Sequence, residues 1–310
     1  MTAREIASRP FISRRTAWLS AGRLALTGST AQKLLSVGIY TLTALIGVFI
    51  FLYPFLAGNV AQQPFDAGMQ SAGSISSPLA FALAIGLCLA ALAVEAQGQA
   101  MSAKLVALLG VLIAINSALR LAETAFPGPG GFTPVFLLII LSGYVFGARF
   151  GFLMGALTLL VSALATAGVG PWLPYQMFTA GWMGMSAGWL GHARLLRARR
   201  LDQVDAQHPS SKLELLALIG FGVMWGFLYG AIMNLWFWPF QAGSPEQSWQ
   251  AGLSAGDTIQ RYAVFYVATS LWWDFFAAAG NAILLALFGI PTLKALQRFK
   301  RRFLFETDQT

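Results

Sequence analysis

Eight apolar runs, nearly free of charge, dictate what this chain can fold into. They lie at residues 35–57, 79–96, 104–122, 132–148, 151–168, 174–192, 213–237 and 260–289. A membrane-spanning helix needs about 20 mainly apolar residues. Only 10% of the chain is charged, against about 25% in soluble domains. The fold class is therefore all-α, a polytopic helical bundle in a membrane. The fourth and sixth runs are short and adjoin Pro/Gly turns, which predicts tilted or partly re-entrant helices there.

The positive charges set the orientation. Lys and Arg accumulate in cytoplasmic loops. Eight spans place both termini on one side, and 18 of the 20 Lys and Arg residues fall on that side. The exceptions are Arg120 and Arg261. Both termini are thus expected in the cytoplasm. The loops 58–78, 123–131 and 238–259 face out and carry acids but no Lys or Arg. The net charge of +8 follows from this topology and calls for no nucleic acid. Residues 1–33 form a basic arm, either an amphipathic helix on inner-leaflet lipid over 11–26 or a disordered segment. Its apolar stretch is weak and broken by Arg23, unlike a cleaved signal.

Enzyme chemistry finds few footholds. No G-x-x-x-x-G-K-[ST] phosphate loop is present. Cys88 is the single cysteine, so there is neither a disulfide nor a zinc framework. The two histidines, His192 and His208, fall on the cytoplasmic side. Neither an H-E-x-x-H motif nor paired acids occur, and no cofactor is implied.

Polar residues inside spans face protein or a cavity more often than lipid. In the third span, Gly110, Ala114, Ala118 and Ala122 recur every four residues, and so do Asn116, Arg120 and the pair Glu123/Thr124. At about 100° per residue the two stripes lie roughly 200° apart. The small face permits a close helix contact, either within this chain or with a partner. On the polar face, Arg120 either pairs with Glu123 at the outer interface or lines a cavity. Asn116 lies deeper and favours the cavity.

A second ladder, Gly143, Gly147, Gly151 and Gly155, reads as tight packing around a turn at Ala148–Arg149. In the last span Asp274 and Asn281 are seven apart on one face, near mid-membrane if that helix starts near residue 260. They form either a site or an internal hydrogen bond. Trp236 and Trp238 suit an aromatic belt at the outer interface, while Asn234 beside them does not.

The stretch GVGPWLPYQMFTAGWMG, residues 168–184, opens a span with two prolines. Proline fits the first turn of a helix, where its missing N–H is not needed. Trp172 then sits at headgroup level, and Tyr175 and Gln176 point into the bundle. Together with Asn116, Arg120, Asn234, Asp274 and Asn281 they are expected to line one outward-facing pocket walled by Trp172, Trp236 and Trp273. The loop 123–131, ETAFPGPGG, would gate it.

The GYVFGARFGFLMGAL turn, the GPWLPYQM opening and the ending GNAILLALFGIPTLKALQRFKRRF resemble the S components of energy-coupling factor (ECF) transporters. The resemblance covers residues 104–302. It implies a six-helix core that binds a vitamin or related micronutrient from outside. It further implies partnership with a transmembrane coupling subunit and two cytoplasmic ATPases, and delivery of the substrate as the S component topples in the bilayer. Gly110, Ala114 and Ala118 match the small-residue motif that contacts the coupling subunit. The GPW-x-P-x-QM pattern is most similar to the cobalamin group. The implied organisation is an arm at 1–33, two additional transmembrane helices at 34–103, the core at 104–302 and a tail at 303–310. A bacterial or archaeal cell membrane is the expected location. The rival reading is an ion- or proton-coupled secondary transporter using Asp274, for which inverted repeats would be the sign; none is visible.

Overall fold

The computed structural model describes residues 34–35, 37–52, 55, 82–83, 85–86, 89–90, 103–126, 128, 130–200, 212–241 and 244–305. The basic arm, the whole loop at 58–78 and most of the second expected span lie outside these residues. The described residues are mostly helical, with no strand among them, and form a polytopic helical bundle. Helix α1 is Val37–Leu52. Then come α2 (Ala103–Ala125), α3 (Val135–Phe146), α4 (Ala148–Ala165) and α5 (Leu173–Arg200). Helix α6 (Lys212–Phe237) runs into a 3-10 turn at Trp238–Phe240, followed by α7 (Ala255–Thr269) and α8 (Leu271–Phe305).

Among these, α2, α4, α6 with its 3-10 extension, and α8 as far as Arg301 are long and apolar enough to cross a membrane. Helix α3, with 12 residues, covers only about 18 Å at 1.5 Å per residue, less than a hydrocarbon core of about 30 Å. The expected short fourth element is thus real. The sixth is instead long: α5 has 28 residues and ends in Arg194, Arg197, Arg199 and Arg200. Its Pro174 falls in the first turn, as the sequence requires. One end of the bundle carries Trp172, Trp236 and Trp238. The other carries those arginines and Lys294–Arg301.

Two boundaries differ from expectation. The turn between α3 and α4 is Gly147 alone, at φ +102°, a backbone region that L side chains rarely adopt. Ala148 and Arg149 already belong to α4. The expected single helix 260–289 is two helices broken at Ser270. Hydroxyls next to the break compete with the helix ladder. Thr269 donates to Phe265 O at 2.7 Å, and Ser270 Oγ accepts from Asn234 at 2.6 Å. Asp274 therefore lies in the first turn of α8, not at mid-helix.

Helix α8 descends alongside α6. Asp274 fits against Gly230, Ala278 against Gly226, and Asn281 reaches the Gly222 carbonyl. Helix α7 does not extend that line. Tyr262 donates to the carbonyl of Ala231 and packs on Trp238, ring centroids 5.1 Å apart. That places α7 folded back across the tryptophan end of α6.

The core is the α3–α4–α5 layer. Gly143 and Gly151 lie on the carbonyl of Gly184, Gly155 on that of Ala180, and Gly188 on Ala148. A Cβ on any of them would strike backbone. The glycine ladder is packing, as its period suggested. At the arginine end Tyr144 donates to Glu214 Oε1 at 2.8 Å, and Arg194 Nη2 lies 2.8 Å from Oε2. This nearly buried network joins α3, α5 and α6.

Helix α1 docks on α5 and the start of α4. Gly47 lies so close to α5 that a Cβ there would come within 2.7 Å of Trp182 and 2.8 Å of Phe178. Thr43 is buried, and Tyr40 meets Phe152 edge-on at 5.9 Å.

Candidate functional site

The tryptophan end of α6 presents Tyr229, Met233 and Trp236 on one face, at helical spacings of four and three. Each meets a different neighbour. The Tyr175 ring of α5 stacks on Trp236 with centroids 5.1 Å apart. Thr179, one turn below Tyr175, reaches the Met233 sulfur at 3.7 Å. Phe136 of α3 packs on Tyr229 at 4.7 Å. From α2, the charges of Arg120 and Glu123 both act on the Tyr229 phenol. This region between α2, α3, α5 and α6 thus has aromatic walls with a few polar groups, the usual make-up of a small-molecule site.

The free valences matter most. Within the described residues the Tyr175 and Tyr229 hydroxyls, the Gln176 amide and the Arg120 guanidinium make no hydrogen bond. Glu123 is engaged: its Oε2 accepts from Thr133 at 2.6 Å, so Arg120 and Glu123 share a neighbourhood without a direct ion pair. Tyr229, Phe136 and Thr133 were not among the expected site residues. Only the seven-residue spacing from Tyr229 to Trp236 hints at a shared face.

The remaining expected residues fall elsewhere. Asn116 is 0% exposed and uses its amide to join α2 to α3 and α4, donating to Val135 O at 3.0 Å and Thr158 Oγ1 at 3.4 Å. Its Oδ1 has no hydrogen-bond partner among the described residues. Asn281 donates to Gly222 O at 2.9 Å, holding α8 to α6, and Asn234 donates to Ser270 Oγ at 2.6 Å, holding the α7–α8 junction to α6. Asp274 is 8% exposed and fills the notch left by Gly230. The Tyr266 hydroxyl interacts with its carboxylate, yet Oδ2 lacks a hydrogen bond of good geometry.

Asn234, Asp274 and Asn281 therefore form a seam between α6, α7 and α8, separate from the Tyr229–Trp236 face. Trp273 is 60% exposed beside the exposed Trp272, and Trp172 lies at the surface folded over Gly170. Their rings suit an interfacial belt more than a shared wall.

The α2–α3 loop leans across the bundle. Gly130, at φ +58°, rests on Phe276, and a Cβ on Gly131 would come within 2.8 Å of the Trp273 carbonyl. Phe132 occupies the space beside Gly280. A groove of 340 Å³ opens separately between Glu246, Asp257, Gln260 and Arg261. None of the expected residues lines it.

On α2, Gly110, Ala114 and Ala118 are all exposed, and no described atom approaches the Cβ position of Gly110 within 4 Å. Helix α1 leaves this face clear because it docks on α5. Among the described residues no three His, Cys, Asp or Glu side chains gather as metal ligands.

The sequence pattern of the family described as ECF transporter, substrate-specific component, matches residues 104–288, more than half the chain. The chain belongs to that family. No curated protein and no solved structure matches it significantly. As an S component it is a membrane-embedded, substrate-specific subunit of an ECF transporter, with a transport role rather than a catalytic one. Membership implies association with the ECF module, its transmembrane component and its ATPases. The matched residues run from α2 into α8. Helix α1 lies before the matched residues.

Proposed function

We propose that this S component binds a vitamin between α2, α3, α5 and α6 at the tryptophan end, facing the outside. Arg120, Tyr175, Gln176 and Tyr229 supply polar contacts, and Phe136 and Trp236 supply apolar walls. The observation that carries this reading is the coincidence of unengaged polar groups with buried aromatic rings in a substrate-specific subunit. The loop 123–131 is its gate, with Glu123 and Thr133 anchoring the base. Asn116, Asn234, Asp274 and Asn281 shape the site through the helices they join. Trp172 and Trp273 fix depth in lipid.

The coupling subunit docks on the Gly110/Ala114/Ala118 stripe, and two cytoplasmic ATPases drive release. Both termini are cytoplasmic, in a bacterial or archaeal cell membrane. Cobalamin is the first candidate because of the GPW-x-P-x-QM pattern. The nearly buried Asp274 carboxylate, whose Oδ2 makes no well-formed hydrogen bond among the described residues, is what favours the rival, an ion-coupled secondary transporter.

Calorimetry on purified protein with a panel of vitamins, cyanocobalamin included, tests the site. Losing a hydrogen bond to a neutral group costs about 0.5–1.5 kcal/mol. Gln176→Ala should thus weaken binding several-fold, and Arg120→Ala more if the ligand is anionic. Unchanged affinity in well-folded Arg120, Tyr175 and Gln176 variants would place the site elsewhere.

A further inference from the structure

We propose that α1, although outside the family-matched residues, completes the binding site, with Phe51 as a positioning residue that holds the Tyr175 ring against Trp236. The inference rests on the site just proposed. Phe51 is 4% exposed, and its ring meets Tyr175 edge-on at 4.9 Å and 76°. Tyr175 in turn lies nearly parallel to Trp236, at 19°. Three rings from α1, α5 and α6 thus form one stack-and-edge cluster.

The Tyr175 hydroxyl makes no hydrogen bond among the described residues. Ring packing, not a polar tether, therefore sets the direction of this phenol. One of its two ring contacts comes from the core and the other from α1. Edge-to-face geometry is directional because the positive ring edge meets the negative face. An aliphatic side chain at position 51 would fill space without fixing the angle.

Helix α1 is held in register for this task. Thr43, Gly47 and Phe51 are four residues apart and share one face. Gly47 permits the close approach to Trp182 and Phe178 that brings Phe51 to Tyr175. Beyond the helix, Phe55 packs on Trp249 at 5.6 Å and Trp238 at 6.0 Å. The same face thereby secures both the site wall and the turn that follows α6.

The test uses the full chain in detergent, incubated with an equimolar mixture of B vitamins that includes cyanocobalamin. Native mass spectrometry identifies the retained vitamin, and calorimetry measures its affinity. Phe51→Leu should weaken binding about three- to tenfold, the range of one aromatic pair. Phe51→Tyr should restore it to within about twofold. In a Tyr175→Leu background, Phe51→Leu should add no further loss, because its effect runs through that ring. A purely structural role would instead give losses that multiply.

If the leucine variant aggregates, Phe51→Met makes the same comparison with an adaptable side chain. Wild-type affinity in Phe51→Leu, or independent losses in the double variant, would overturn the role of α1 while leaving the transporter reading intact. A wild-type protein that retains no vitamin would overturn both.

Discussion

Replacing Ala114 or Ala118 by Trp should separate docking from folding. Both residues are exposed on α2, and the neighbouring Gly110 has open space beyond its Cα. No described residue crowds this face, so an indole there should change stability by no more than about 0.5 kcal/mol. A partner helix seated on the stripe is affected differently. Small residues let two backbones approach closely, and a gap of about 1 Å forfeits up to roughly half of the dispersion attraction across a contact. An indole opens a gap at least that wide. The loss should exceed about 1.4 kcal/mol, or tenfold in affinity.

The assay is co-purification of the coupling subunit with tagged variants in nanodiscs, alongside vitamin calorimetry on the same samples. Ile283→Trp, on an exposed site of α8, is the control. Ala114→Trp and Ala118→Trp should lose the partner and keep the vitamin, whereas Ile283→Trp should keep both. Full recovery of the partner by both stripe variants would mean that the stripe faces only lipid.

Gly184→Leu should abolish folded protein, because its Cβ would strike the backbone of Gly151 and overpacking already costs about 1–3 kcal/mol where side chains can yield; size-exclusion profiles and yield report it. Arg194→Met should cost about 3 kcal/mol by leaving the nearly buried Glu214 carboxylate without its cation. Tyr144→Phe should cost about 1.5–3 kcal/mol, the value of a hydrogen bond to a charged group, and thermal unfolding of the two variants would rank them. For orientation, a cysteine at Ser244 should react with an impermeant reagent from outside, and one at Gln203 only after permeabilisation. The reverse pattern would invert every side-dependent statement.

What was legible in the sequence followed from period and from forced geometry. The glycines at 143, 151 and 155 announced a close backbone contact, while Gly147 between them serves the turn at φ +102°, with no described atom within 4 Å of its Cβ position. Pro171 and Pro174 marked the start of α5 because proline fits little else there. The small stripe on α2 was readable as a face, and Gly110, Ala114 and Ala118 are exposed on it. The break at Ser270 was not readable: residues 260–289 read as one mainly apolar run, and Thr269 and Ser270 give no interruption by pattern alone.

The polar residues were ambiguous for a related reason. Asn234 and Asn281 carry polarity into apolar spans, but a buried amide is as easily satisfied by a neighbouring helix as by a ligand. Their partners, Ser270 and the Gly222 carbonyl, come from distant sequence. Tyr229 gave no signal, because a lone tyrosine in an apolar run has no pattern. The Thr43–Gly47–Phe51 spacing was present throughout, but its meaning required knowing which helix it faced.

ATP-dependent uptake tests the central claim most directly. The chain is reconstituted in proteoliposomes with the coupling subunit and ATPases of its own genome, and entry of the vitamin selected by calorimetry is measured. An S component requires uptake that needs ATP and the whole module, resists a protonophore and disappears in Ala118→Trp. Uptake by the chain alone that collapses with the protonophore would contradict the account and identify an ion-coupled carrier instead.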